Sequence, residues 1–179
     1  MEIQDIPSKK KQVETGKSWY ALYTKSRWEK RVSGYMDEAG IEHFLPLRKT
    51  LRQWSDRKKW VEEPLFRSYI FVHIPAGEYY NALNIPGVVR YVSFGGKAVT
   101  IPERQIRMVQ DLLAMNIELE ITDETLQPGE RVKIRYGALK DIEGELVEYR
   151  SKSMVALRID HISGSILVSV PANYITKTD

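Results

Sequence analysis

The chain has 179 residues, 42% of them hydrophobic and 28% charged, with a formal net charge of +3 and no cysteine. Such a composition belongs to a folding globular protein and leaves room for one domain or two of the usual ~100 to 150 residues. It excludes disulfides and thiolate metal sites, and so small a net charge does not by itself make a high-affinity nucleic-acid binder.

Residues Met1 to Lys17 form a polar leader carrying Lys9-Lys10-Lys11. It lacks the apolar core of a signal peptide, and no later run approaches the ~20 apolar residues that span a bilayer, so a cytoplasmic, soluble protein with no membrane partner is expected. Ser18 to Thr24 has a strand composition. Arg27 to Ala39 then places Val32, Tyr35 or Met36, and Ala39 on one helical face, with Gly40 positioned to end the helix. Ile41 to Leu47 is apolar and contains Pro46, which suits an edge or terminal strand position.

A basic stretch follows, in which Arg48, Lys49, Arg52, Arg57, Lys58 and Lys59 are interleaved with Trp54 and Trp60. Cations among aromatic rings suit phosphate neutralisation and base stacking, and equally suit a solvated loop or hairpin. Arg67 to Ile74 is the clearest strand. Both of its alternating faces carry apolar residues, so either both find cover within the chain or one meets a partner. A short helix around Glu78 to Asn84 stops before Pro86-Gly87, a strand returns over Val88 to Ser93, and Phe94-Gly95-Gly96-Lys97 makes a turn. Pro102 starts an amphipathic helix whose inner face is Ile106, Val109, Leu112 and Leu113, ending near Met115. The order of elements predicts an α+β domain with a central antiparallel sheet flanked by helices.

Asn116 to Gln127 is acidic and aperiodic and reads as a linker before the restart at Pro128-Gly129. Strand-like runs at Arg131 to Arg135, Glu145 to Tyr149, Met154 to Ile159, Ile166 to Pro171 and Tyr174 to Thr176 predict a small five-stranded barrel. The two halves differ in charge. Residues 18 to 115 carry 15 Lys and Arg against 10 Asp and Glu, whereas residues 122 to 179 carry 8 against 9.

No constellation for a reaction is evident, so no catalytic residue, metal or cofactor is assigned and the chain is not expected to be an enzyme. His43, His73 and His161 lie far apart without metal-ligand spacing, and Phe94-Gly95-Gly96-Lys97 lacks the hydroxyl residue of a phosphate loop. Glu62-Glu63 and the pair Glu143 and Glu145 have the character of solvated carboxylates. The chain does contain four Trp and ten Tyr. Tyr23, Phe66, Tyr69 and Phe71 serve either as core or as a docking surface.

Trp19-Tyr20, Phe44-Leu45-Pro46, Pro64-Leu65-Phe66, Tyr69-Ile70-Phe71-Val72, Pro86-Gly87-Val88 and Ile101-Pro102 resemble, in order and spacing, the amino-terminal (NGN) domain of the NusG family of transcription elongation factors. Gly129 to Ile134, Gly137, Ile142-Glu143-Gly144 and Val147 are similar to its KOW domain, whose turn needs glycine for its backbone angles. The resemblance implies a leader at 1–17, an NGN domain at 18–115, a linker at 116–127 and a KOW barrel at 128–179. It implies docking on the clamp helices of the largest RNA polymerase subunit through Tyr23, Phe66, Tyr69, Phe71 and Ile106, which suppresses pausing and termination. Lys25 and Arg31 match positions that face the non-template strand in the specialised paralogue RfaH. Non-template DNA or nascent RNA are thus further candidate ligands, and the KOW surface at Ile162 and Ser163 is a candidate for the ribosome or another factor.

Several positions depart from the family pattern. Arg67-Ser68 stands where many relatives have Pro-Gly, Glu78-Tyr79-Tyr80 aligns with the His-Thr-Thr segment of RfaH, the KOW turn reads Ala138-Leu139-Lys140-Asp141, and Ser163 replaces the apolar residue used for Rho or ribosome coupling. These departures resemble an operon-specific antiterminator of the kind found at capsular polysaccharide loci. A housekeeping elongation factor and a KOW-type RNA- or ribosome-binding protein remain the alternatives. Val155, Ile159, Ile162, Ile166, Val168 and Val170 favour strands in the second module over a helical hairpin.

Overall fold

The alternation of apolar residues along the Tyr69 segment is resolved by covering both of its faces. The computed structural model describes residues 16 to 178 except 116, 118, 123, 125 and 128, so the Lys9-Lys10-Lys11 leader and Pro128 lie outside the described residues. In chain order the first module contains β1 (Lys17–Thr24), α1 (Glu29–Glu38), β2 (His43–Phe44), β3 (Leu47–Gln53), β4 (Lys58–Pro64) and β5 (Tyr69–Pro75). It continues with α2 (Tyr79–Leu83), β6 (Val88–Tyr91), β7 (Ser93–Phe94), β8 (Lys97–Ala98), β9 (Thr100–Ile101) and α3 (Glu103–Ala114).

The central sheet runs β2-β5-β1-β6, with β9 also paired to β1, and all its pairings are antiparallel. One face presents Leu22, Ile70, Val72 and Ile74, which pack with Val32 and Met36 of α1 and Ala82 of α2. The opposite face presents Trp19, Ala21, Tyr69 and Phe71, packed in a cluster with Ile106, Val109 and Leu112 of α3. A strand buried on both sides needs this continuous apolar run, which is why β5 is the most legible element of the sequence. The basic stretch forms the β3-β4 hairpin, a two-stranded sheet that pairs with no other strand among the described residues.

The second module is a six-stranded, barrel-like antiparallel sheet: β10 (Glu120–Thr122), β11 (Glu130–Ile134), β12 (Glu143–Tyr149), β13 (Lys152–Leu157), β14 (Ser165–Val168) and β15 (Ile175–Lys177). Five of these strands occupy the expected positions. The sixth, β10, falls in the stretch expected to be linker and sits at the edge of the sheet, pairing Ile121 with Ile166. Three residues are too short for a periodic signal in sequence, and the unpaired edge of β14 supplies the partner that makes them a strand.

Candidate docking face and basic hairpin

Antiparallel register brings the expected docking residues together. Tyr23 lies opposite Tyr69 and Ala21 opposite Phe71. The Tyr23 and Tyr69 rings sit 4.8 Å apart, and the Tyr69 hydroxyl donates to the Tyr23 hydroxyl at 3.2 Å. That hydrogen bond, followed by burial, holds the Tyr23 phenol above its ordinary range. Phe71 is fully buried, with Phe66 edge-on at 6.3 Å and Phe44 at 6.2 Å.

The departure Arg67-Ser68 is accommodated locally. Ser68 adopts φ 62°, a left-handed angle that glycine takes without cost. Its amide donates to the Glu29 carboxylate at 2.7 Å, and its carbonyl accepts from Thr24 at 2.9 Å. Glu29 is buried at the start of α1, where an acidic residue also complements the helix dipole. Nothing in the local pattern marks Glu29 as a partner of Ser68, because they meet only through the fold.

The second module covers this face. Phe66, Tyr69 and Ile106 share one buried apolar cluster with Ile159 and Ile162, and Tyr23 packs against it. The Ser163 amide donates to the Tyr69 hydroxyl at 3.2 Å, and the Asp160 amide donates to Gln105 Oε1 at 3.0 Å. Beside them the Phe94 and His161 rings lie 5.9 Å apart. Tyr69 exposes 5% of its surface and Ile106 1%. The two surfaces that the family resemblance assigns to different partners therefore lie against each other, and Ser163, on the expected KOW partner surface, touches Tyr69 of the expected docking patch. Sequence reasoning missed Gln105 and Asp160, which have no local signature and lie 55 residues apart.

The expected nucleic-acid residues fall into two groups. Lys25 and Arg31 hold their charges 5.3 Å and 5.2 Å from the Trp28 ring, a pair of cation–π contacts at the entry to α1. Gly87, at φ 92°, packs against the same ring, and a Cβ there would come within 2.7 Å of it. In the hairpin, Arg48 is half-buried and its guanidinium donates to the Leu119 carbonyl at 3.3 Å, tying the hairpin base to the segment that leads into the second module. Arg52 is paired with Glu63. Lys49, Lys58 and Lys59 are exposed and make no ion pair among the described residues.

In the second module the turn after β11 is closed by the Asp141 amide on the Ile134 carbonyl at 2.8 Å and the Ile134 amide on the Ile142 carbonyl at 2.9 Å. Gly137 takes φ 83°, and Glu143 is exposed at the start of β12. Gly144 is required by close approach: a Cβ there would sit 2.7 Å from the Ala156 carbonyl oxygen.

The histidines are held in local contacts. His43 bonds Ser33 and the Ile41 carbonyl, and His73 bonds Glu42 and stacks on Trp19 at 4.7 Å. No group of three or more His, Cys, Asp or Glu suited to a metal occurs among the described residues, and none of their helices is long and apolar enough to cross a membrane.

Comparison with known proteins gives a consistent picture. The family model described as "Transcription termination factor nusG" matches residues 17–110. The transcription termination/antitermination protein NusG of Staphylococcus aureus strain N315 is 24% identical over 176 residues, spanning 90% of this chain and 96% of the relative, and that of strain Mu50 matches equally. Among solved structures, one described as "Domain interaction in Thermotoga maritima NusG" superimposes with a TM-score of 0.54 at 23% identity, covering 91% of this chain and 98% of the other.

Proposed function

The chain belongs to the NusG family of transcription termination and antitermination factors, and from that premise we propose that it docks on the clamp helices of the largest RNA polymerase subunit through Tyr23, Phe66, Tyr69, Phe71 and Ile106. Docking favours one polymerase state over another and so lowers the probability of pausing and termination. The observation that carries the mechanism is the covered patch. With Ser163 bonded to Tyr69 and Ile162 buried beside it, polymerase has access to the patch only when the modules separate. Apparent affinity then scales with the fraction of molecules that are open.

The operon-specific antiterminator is our reading over a housekeeping elongation factor, on the sequence departures at Arg67-Ser68, Glu78-Tyr79-Tyr80, Ala138-Leu139-Lys140-Asp141 and Ser163. A factor whose docking face is covered by its own second module stays off polymerases in general and engages where some element opens it. The departure at Ser163 agrees with a KOW surface used for self-contact. In the test, polymerase affinity is measured for the full-length wild type, Ile162→Asp, and Ile162→Asp combined with Tyr69→Ala. A buried unpaired carboxylate opens the interface, so Ile162→Asp binds more tightly, by about tenfold if the closed form holds a free-energy advantage near 1.4 kcal/mol. Adding Tyr69→Ala abolishes the gain. Unchanged or weaker binding by a folded Ile162→Asp protein counts against the scheme.

A further inference from the structure

The β3-β4 hairpin carries features that packing does not explain. Residues 51 to 60 are exposed without interruption, including Leu51, Trp54 and Trp60, the last at 65% of its surface. Exposed indole rings contribute little to the fold, and Arg52 stands directly opposite Lys59, a like-charge pairing that weakens a hairpin. Between Arg48 and Trp60 the chain has six cations and one anion. Asp56, the anion, lies 3.9 Å from Arg57 at the tip.

Register sorts these groups. Leu51 pairs with Trp60, Gln53 with Lys58 and Lys49 with Glu62, so by alternation one face of the hairpin combines an apolar pair with Lys49, Lys58 and a single carboxylate, Glu62. The other face holds Arg52, Lys59 and Glu63, where Glu63 neutralises Arg52. An open cleft of about 1340 Å³ is lined by Lys30, Lys49, Leu51, Trp60, Leu113 and Ile117. The stacking surface is therefore flanked by cations and has space beside it.

We propose that this face of the hairpin binds single-stranded nucleic acid, with bases stacked on Trp60 against Leu51 and phosphates held by Lys49 and Lys58. Charge complementarity selects a polyanion. The accessible indole face selects a single strand, because a duplex hides the faces of its bases in its own stack. A protein partner is a poorer match, since an interface core is depleted in lysine and this face sets two lysines beside its apolar pair. RNA and DNA offer the same base and phosphate chemistry here. The site is separate from the covered sheet face and does not depend on polymerase docking.

The test uses the full-length protein without polymerase and labelled RNA, single-stranded DNA and duplex DNA of about 12 nucleotides, a length within the usual single-strand site sizes. Fluorescence anisotropy is followed between about 50 and 200 mM salt. Single strands should bind better than duplex, with affinity falling as salt rises. Trp60→Ala should weaken binding by roughly tenfold, the loss expected for one stacked base, and Trp60→Phe should restore most of it. Lys49→Ala with Lys58→Ala should reduce the salt slope by about 1.4, from about 0.7 per lost phosphate contact. Preference for RNA points to the nascent transcript, and preference for DNA to an exposed non-template strand. Duplex preference, a folded Trp60→Ala protein that binds as wild type, or no binding at the lowest salt overturns the proposal, and the last outcome assigns the face to a protein.

Discussion

The first module has two aromatic surfaces with opposite fates. Tyr23, Phe66 and Tyr69 on the sheet are closed over by Ile159, Ile162 and Ser163 of the second module, whereas Leu51, Trp54 and Trp60 on the hairpin stand in solvent. Both are rich in rings, and composition alone does not separate them. The difference lies in what surrounds the rings: apolar neighbours and a matched hydrogen bond on the sheet, lysines and a like-charge pair on the hairpin. An apolar patch can be covered by the chain's own second module, while a cationic aromatic strip is better matched to an anion with flat faces.

Substitutions sharpen this contrast. The largest effect is expected from Phe71→Ala, which empties a fully buried ring site between Phe44 and Phe66 and should cost about 3 to 5 kcal/mol by urea denaturation. Tyr69→Phe keeps the ring but leaves the Ser163 amide without its acceptor. A loss of about 1 to 3 kcal/mol is expected, with faster hydrogen exchange at Ser163 and unchanged protection in β12 and β13. Trp60→Ala, on the exposed strip, should alter stability by less than about 0.5 kcal/mol, so any large loss would show that the hairpin is structural.

The smallest effect is electrostatic. Hydrogen bonds from Lys17, then His73, hold the Glu42 carboxyl below its usual 4.5. A carboxylate with a depressed folded pKa stabilises above its unfolded value, and that contribution disappears as pH falls through the folded value. Glu42→Gln should therefore flatten the loss of stability below about pH 4.5, by no more than about 1 kcal/mol because the group is half-exposed.

The fold was legible where burial imposes a period. The two-sided apolar run of Tyr69 to Ile74 and the spacing of Ile106, Val109 and Leu112 correspond to β5 and α3. The β10 strand was not legible, because three residues carry no period and the edge of β14 decides their state. The candidate residues were visible as types, while their arrangement was not. Tyr69 reads the same in sequence whether it faces solvent or Ser163, and Arg48 reads as a phosphate ligand although its guanidinium reaches the Leu119 carbonyl. Long-range contacts of this kind depend on how the modules come together, which no local window contains.

The most direct test of the proposed docking face exploits the absence of cysteine. Cysteines placed at Gln105 and Asp160, whose side chain and amide meet at 3.0 Å, are joined in the full-length protein by a short bismaleimide linker. Polymerase binding is then compared with that of the same variant left unlinked. The unlinked protein is expected to bind and the linked one is not; equal binding by both would show that polymerase does not need the Tyr69 face.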